Sequence, residues 1–504
     1  MPTGALPDHS ASSKSSDAGE LSLDPADWEE FRATAHRALD DAIDFLRTVR
    51  ERKVWRPVPE EVRSALAAPV PTEGQPLEEV YRQFQDLILP YATGNIHPRF
   101  YGWVHGTGLA GGIVAEMLAA SMNANCGGRD HGAIYVERTV VDWCKKQFDF
   151  PAEASGLLVS GTSMANLIGL GVARNSLPGA NVRRDGVGDY PRELTGYASA
   201  EAHESAAKAF EIMGLGGTAL RKIPVDEALR IRVDVLREKI AEDRRAGLEP
   251  FCVIGSAGTV NTGAIDDLDA LATLCENEGL WFHVDGAFGA LGVLSDSVRP
   301  MLKGIERADS IAFDFHKWMF VQYDAGCILV RDGAKHRAAY SMRPPYLNHL
   351  QRGLAGGGDW PCDFGPELSR SFRALKIWFA MKEHGTRKLG RMIDQNCAQA
   401  QYLRGRILEH LELELLAPVQ LNIVCFRFHP PGLDDPGLLD RLNEELVADL
   451  QESGVAVPST TRIGGRLAVR VAITNHRSRM VDFDILLAAV LEAGGRRIAG
   501  SAAV

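Results

Sequence analysis

The 504-residue chain carries 55 Lys and Arg against 66 Asp and Glu, a formal net charge of −11, with 45% hydrophobic and 24% charged residues. That is the make-up of an ordinary globular protein long enough for two or three packed units, and its mild acidity argues against phosphate-backbone binding as its main business. No apolar stretch approaches the roughly 20 residues of a bilayer span, no basic run interleaved with aromatics suggests nucleic acid, and the 8 scattered cysteines form no CxxC pair, so neither a disulfide framework nor a metal site is expected.

Residues 1–22, rich in Ser, Ala, Asp and Gly, read as a disordered tail. They lack an apolar segment of signal type, so a cytoplasmic protein is expected. From Asp24 onward Pro25, Trp28, Phe31, Ala35, Leu39, Ile43 and Leu46 recur at helical spacing, with Asp24 as N-cap. Two more helices are predicted over Glu60–Ala67 and Pro76–Leu89. This helical segment, 23–95, is too short to bury a good core alone, and is expected to lie against the next domain or a second subunit. The aromatic, Gly-rich stretch His97–Gly108 (HPRFYGWVHGTG) reads either as a packed connector or as a pocket wall. Helices over Leu109–Ala124 and Tyr135–Phe148 flank the polar break Asn125–Gly132.

From Gly156 the rhythm becomes strand, turn, helix. Short apolar runs cover Gly156–Ser160, Gly196–Ala200, Phe251–Gly255, Leu280–Val284, Ile311–Phe313 and Cys327–Val330, with helical patterns at Ala165–Arg174, Ser205–Met213, Val233–Ala246 and Leu268–Glu278. Such alternation implies a mostly parallel sheet covered on both faces, which seats its ligand at the carboxyl ends of its strands. Chemically suggestive residues stand there. Thr162 and Ser163 open a helix, as a plain N-cap or as a phosphate seat. His203 follows the second run, and Thr259 the third. Asp285 ends the fourth, as a cap or as a buried carboxylate in need of a partner. His316 and Lys317 follow the fifth. A lysine there is ordinarily a surface residue whose stem covers apolar side chains; the sharper reading is a Schiff-base lysine made nucleophilic by a burial-lowered pKa. Pyridoxal phosphate is the common cofactor that uses all four groups: a helix N-terminus for its phosphate, a lysine for its aldehyde, an anion for its ring nitrogen and a flat side chain over its ring.

The segments SGTSMANLIGL (160–170), EAHESAAKAF (201–210), GTVNTGAIDDL (258–268), WFHVDGAFGA (281–290), DSIAFDFHKWMFVQYDAG (309–326) and RSFRALKIWFAMKEHG (370–385) resemble the group II pyridoxal-phosphate amino acid decarboxylases, in order from about Asp24 to the C-terminal region. The resemblance implies an α/β fold of the aspartate aminotransferase type (fold type I): a mostly parallel sheet flanked by helices, a helical N-terminal dimerisation segment (23–95), a large cofactor-binding domain (96–385) and a small α+β C-terminal domain (386–504). It also implies a homodimer with its active site at the interface. Carried over by position, Lys317 is the Schiff-base lysine and Asp285 the partner of the pyridine nitrogen. His203 is the stacked histidine and candidate proton donor, and Thr162 and Ser163 are the phosphate loop. His316 is the lysine's neighbour, Ala287 the small residue beneath the ring, and Thr259 the threonine near its substituents. Phe100 and Tyr101 fall in the segment that lines the substrate pocket.

Two departures stand out. Phe315 occupies a position that is often proline, so a less rigid turn is expected around Lys317. In Tyr346–Arg370 many relatives carry a mobile-loop tyrosine that protonates the carbanion; here the nearest position holds Trp360, and 347–370 contains no tyrosine. Gly356–Gly358 suits either a flexible lid or a plain linker. Beyond Thr386, helices are predicted at Arg387–Leu411, Gly437–Ser453 and Val481–Ala493 and strands at Asn422–Arg427 and Arg466–Ala472, with Arg470 expected in an ion pair. The activity so implied is decarboxylation of an L-amino acid, aromatic or bulky, to its amine through a Schiff base on Lys317. The alternatives are oxidative conversion to an aldehyde, transamination, or a catalytically silent regulatory relative.

Overall fold

In the computed structural model the described residues are 21–179, 181–342, 350 and 352–501. Most of the predicted N-terminal tail (1–20) and the start of the Tyr346–Arg370 connector lie outside them. Seven strands form the large sheet: β1 (Ser155–Val159), β2 (Leu194–Ser199), β3 (Leu220–Ile223), β4 (Glu249–Ser256), β5 (Trp281–Asp285), β6 (Ser310–Asp314) and β7 (Gly326–Val330). Their order is β1-β7-β6-β5-β4-β2-β3. The β3–β2, β2–β4, β4–β5 and β5–β6 pairs are parallel. Only β7 runs against its neighbours β6 and β1. Strands β2, β6 and β7 are buried at every position, as parallel sheets covered on both faces require. Strand β3 escapes the sequence reading because LRKI offers only two apolar residues at the edge of the sheet. The fold is thus the fold type I arrangement that the resemblance implied.

The helices between strands fall close to expectation, at Thr162–Asn175, Ser205–Ile212, Val233–Arg245 and Leu268–Glu278. The first helix differs at its start. It runs Trp28–Arg47 and is capped by Asp27, whose carboxylate accepts the N–H groups of Glu29 and Glu30, not by Asp24.

Four further strands, β8 (Leu413–Leu415), β9 (Ile423–Phe428), β10 (Ser459–Ile463) and β11 (Arg466–Ala472), form an antiparallel sheet in the order β10-β11-β9-β8. It packs with the helices Pro436–Ser453 and Met480–Ser501 around Phe426, Leu446, Val469, Phe483 and Val490. One long helical element, Ala374–Leu408, links the two sheets and breaks its helical geometry at Gly385 (φ 68°), a backbone angle that glycine adopts without strain. Arg470, expected in an ion pair, is buried and has no carboxylate partner among the described residues. Its guanidinium donates to the carbonyls of Asn261 (3.1 Å), Trp103 (2.9 Å) and Val260, so the small sheet is stitched to the rim of the large one. Burial lowers its pKa to about 10.

The segment 97–108 is shared between the two sheets. Tyr101 donates its N–H to the Val457 carbonyl (2.8 Å) and accepts from Ala472 N (3.0 Å), which fixes the segment to the small sheet. Gly106 at its other end lies against the Lys317 turn; a Cβ there would sit 1.9 Å from the His316 carbonyl oxygen, so this close approach needs glycine.

Candidate active site

The carboxyl ends of β1, β2, β4, β5 and β6 open onto one cleft with two adjoining lobes, of about 330 and 340 Å³. His203, Asp285, Ala287, His316, Lys317 and Tyr323 border both lobes, so the lysine stands at the waist. One lobe ends at Ser160–Met164. The other ends among Trp103, His105, Thr259 and Phe288.

Lys317 sits in the single helical turn Phe315–Trp318 directly after β6. The turn is fixed without proline. Phe315 is fully buried against Phe313, with Phe148 beyond (ring centroids 5.2 and 5.0 Å). Its N–H donates to the Ala325 carbonyl at 2.9 Å, a bond proline has no hydrogen to make. The expectation of a looser turn therefore fails: aromatic packing and a hydrogen bond replace the ring. His316 helps, its Nδ1 lying 3.2 Å from the Ala325 N–H; burial lowers its pKa against the pull of Asp314.

The lysine itself overturns a second expectation. Burial works against its ammonium, but the Asp314 carboxylate lies 3.0 Å from Nζ and, with Asp285, more than offsets that, so its pKa is raised rather than lowered. Asp314 is buried and also accepts the Thr162 N–H at 2.7 Å. One carboxylate thus ties the lysine to the first turn of the helix Thr162–Asn175.

That first turn carries the evidence for an anion. Thr162 Oγ1 is buried and has no hydrogen-bond partner among the described residues, at the N-terminus of a 14-residue helix, where free N–H groups and the helix dipole favour negative charge. Ser163 lies beside it in the same lobe.

Asp285 is held from two sides. Asn166 Nδ2 donates to Oδ2 at 2.9 Å and the Ala287 N–H to Oδ1 at 3.2 Å. Asn166 is one turn along the helix from Thr162, on the same face. It belongs to a chain of hydrogen bonds whose direction can be read from its first donor. Indole nitrogen only donates, so Trp281 Nε1–H gives its proton to Ser310 Oγ (2.8 Å), and Ser310 then donates to His283 Nδ1 (2.7 Å). His283 is fully buried, and burial lowers its pKa to about 3. Its one proton therefore sits on Nε2 and goes to Asn166 Oδ1 (2.9 Å). The Asn166 amide donates in turn to Asp285 and to Ser205 Oγ (3.1 Å), and Ser205 faces His203 Nδ1 (2.8 Å). The Ser205 backbone N–H also points at His203 Nδ1 (3.1 Å), which leaves that nitrogen as an acceptor and the ring proton on Nε2. His203 is exposed and borders the cleft, its ring stacked on no aromatic side chain among the described residues.

Thr259 is buried at the rim of the outer lobe, its hydroxyl accepting the Ala264 N–H at 3.1 Å. Ala287 lines both lobes. Three sequence-derived pocket residues lie elsewhere. Phe100 is buried against Val54 and Val457, and Tyr101 packs on Phe483; both are drawn toward the small sheet by the backbone bonds above. Trp360 is buried beneath the Arg129 guanidinium (4.3 Å) with its N–H on the Gly356 carbonyl (3.1 Å), and it does not border the cleft of its own chain. In place of Phe100 and Tyr101, Trp103 and His105 line the outer lobe, stacked on each other at 5.4 Å. Burial, then the charge of Lys317, lowers the His105 pKa. Asp314, Asn166, Ser205 and Tyr323 were not singled out from sequence. Asn166 had a usable signal, its i+4 spacing from Thr162; Tyr323, five residues past Trp318, had none.

These residues fit pyridoxal phosphate: an orphaned hydroxyl and helix N-terminus for phosphate, an anchored carboxylate for the ring nitrogen, an unstacked histidine ring and a lysine at the waist. Comparison with known proteins agrees. Residues 59–429 match the family described as the pyridoxal-dependent decarboxylase conserved domain. The chain is 34% identical over 453 residues to an aromatic-L-amino-acid decarboxylase of Bacillus atrophaeus, covering 89% of this chain and 92% of that protein. It is 27% identical over 468 residues, 90% of each chain, to a phenylacetaldehyde synthase of a Rosa hybrid cultivar. Among solved structures it is similar to the Oryza sativa TDC with PLP and tryptamine, with a TM-score of 0.87 and 25% identity over 94% of this chain and 100% of that one.

Proposed function

The chain belongs to the pyridoxal-dependent decarboxylase family, and on that premise we propose that it converts an L-amino acid with an aromatic side chain to the corresponding amine, as a homodimer in the cytoplasm. It is a pyridoxal-phosphate-dependent amino acid decarboxylase; the substrate class, the fate of the α-carbon and the residue roles that follow are our reading. When bound, the cofactor supplies an electron sink for the pair left behind by departing carbon dioxide. The chain does the rest. Thr162 and Ser163 would bind the phosphate. Asp285, steadied by Asn166 and Ala287, would keep a proton on the ring nitrogen, and His203 would lie against the ring. Lys317 would supply the amine that holds the group, its proton handled beside Asp314.

The observation that carries this reading is the meeting of Lys317, Asp285, His203 and the Thr162 seat around one cleft. An aromatic substrate is favoured by the walls of the outer lobe. Trp103, His105, Phe288 and Tyr323 line it, and among the described lining residues Lys317 and Asp285 are the only Lys, Arg, Asp or Glu. A substrate with a charged side chain would find no counterion there that the chemistry does not already use. The N-terminal helices leave Trp28, Phe31, Ile43, Leu77, Val80, Phe84 and Ile88 exposed, more apolar surface than water-facing helices ordinarily carry, which supports a partner subunit. Eight free thiols support a reducing compartment.

A second reading, release of an aldehyde, is favoured by one observation: Trp360 stands near the position of the family's loop tyrosine and is buried. The test is to incubate the protein with a panel of L-amino acids under air and to assay carbon dioxide, amine, aldehyde and peroxide together. Carbon dioxide and amine in equal amounts from the aromatic members is the expected result. Equal aldehyde and peroxide, or turnover confined to acidic amino acids, would overturn it.

A further inference from the structure

We infer that Tyr323 is the acid that gives the α-carbon its proton after carbon dioxide leaves. The inference rests on the decarboxylase reading and names the residue for its last step.

Four side chains at the waist of the cleft carry a transferable proton. His316 has its Nδ1 on the Ala325 N–H and its Nε2 toward the Asp314 carboxylate at 3.5 Å. His203 has its Nδ1 turned to a backbone N–H and so keeps a single proton on Nε2; a singly protonated imidazole is a far weaker acid than a phenol. The Lys317 ammonium is engaged by Asp314 at 3.0 Å. Tyr323 is placed differently. Its oxygen accepts the Gly106 N–H at 2.9 Å, which fills the acceptor side of the hydroxyl, while its own proton has no partner among the described residues. The ring packs on His316 (centroids 4.3 Å) and meets His105 in a T-shaped contact (6.3 Å, 80°). Tyr323 borders both lobes, with Lys317, Asp285 and His203. It is also half-exposed, 47%, so water can restore its proton.

The step balances within this set. The Tyr323 O–H bond breaks, and its proton joins the α-carbon using the electron pair of the lost carbon–carboxylate bond. The phenolate stays on the Gly106 N–H, near the cation of Lys317, until water reprotonates it. Burial, with the Asp314 carboxylate adding to it, holds the phenol pKa above its ordinary value, while the Gly106 N–H and Lys317 oppose that rise; these are the two contacts that would stabilise the phenolate. Trp360 offers no rival proton, its N–H being spent on Gly356.

The test uses full-length protein loaded with pyridoxal phosphate, with L-phenylalanine, L-tyrosine and L-tryptophan as probes. The variants are Tyr323→Phe, Tyr346→Phe and protein with 3,5-difluorotyrosine at position 323, which keeps the shape and lowers the phenol pKa. In Tyr323→Phe the absorption band of the bound cofactor and its borohydride fixation on Lys317 should match wild type, with KM little changed and kcat for amine down roughly 10²- to 10⁴-fold. The fluorinated protein should shift the alkaline limb of kcat to lower pH. Tyr346→Phe should behave as wild type. Wild-type kcat in Tyr323→Phe, loss of kcat in Tyr346→Phe instead, an unmoved alkaline limb, or failure of Tyr323→Phe to hold the cofactor would each overturn the assignment. Wild-type protein that releases no amine from any probe would sink the parent reading itself, which is a distinct failure visible before any variant is compared.

Discussion

The two sides of the waist are built on opposite plans. On the Asp285 side, each proton from Trp281 through Ser310, His283, Asn166 and Ser205 to His203 has one donor and one acceptor, and the run is buried from Asn166 to Ser310. On the Lys317 side the groups are under-committed. Among the described residues Thr162 Oγ1 has no partner and the Tyr323 hydroxyl accepts but does not donate, and one carboxylate, Asp314, serves both an ammonium and a backbone N–H. A fixed network sets charge and orientation before anything binds. An open one can take up a phosphate and pass protons. On the proposed roles, holding the cofactor's ring and moving the substrate's proton would fall to different walls of one cleft.

Substitutions can break that contrast, beginning with the largest effect. Asp285→Asn keeps the shape of the fixed side and removes its charge. It should lower kcat by roughly 10²- to 10³-fold, the scale for losing one preorganised electrostatic contact, with an altered cofactor absorption band; near-normal kcat would mean that the ring nitrogen has another partner. Asn166→Leu strikes the node of the chain. It leaves the His283 Nε2–H without an acceptor and Asp285 with one donor fewer, so urea unfolding should register a loss of about 1–3 kcal/mol along with a smaller drop in kcat. An unchanged unfolding midpoint would show that the directed chain carries no weight.

Asp314→Asn probes the open side through pH. Because Asp314 raises the lysine's pKa, the free amine that the cofactor must meet is scarce near neutrality in the wild type. The variant should take up pyridoxal phosphate faster at neutral pH, with the whole loading–pH curve moved down; stopped-flow absorbance would show it. A last effect is general and touches stability rather than the cleft. Burial lowers the pKa of His283 to about 3 and of His97, His336 and His476 to about 4. Each takes its proton on unfolding but not when folded, so each contributes stability that is present above about pH 6.5 and is lost as pH falls toward 4, at about 1.4 kcal/mol per pH unit and residue. Urea midpoints between pH 7 and 5 should fall accordingly, and less steeply in His283→Gln.

How much of this was legible beforehand follows the same division. Lys317, Asp285, His203 and Thr162 could be found because each ends a recognisable apolar strand run. The strands showed as apolar runs, except β3, whose Arg221 and Lys222 disguise an edge strand, and the short outer strands β8 and β10 of the small sheet. What could not be read depends on contacts distant in sequence. Asp314 reaches back to Thr162 across the sheet, and Tyr323 finds the Gly106 N–H. Phe315 looked like a loss of rigidity, since nothing local announces its bond to Ala325 or its packing on Phe313. Phe100 and Tyr101 were read as pocket wall because aromatics beside glycine line pockets; backbone pairing to Val457 and Ala472 turns them away and presents Trp103 and His105.

The central claim, that this cleft binds pyridoxal phosphate through Lys317 at its waist, has a direct measurement. The cofactor-loaded protein is reduced with borohydride, digested and sequenced by mass spectrometry. The structure predicts a phosphopyridoxyl adduct on the peptide containing Lys317 and on no other lysine; an adduct elsewhere, or none on a protein that still decarboxylates, would contradict it.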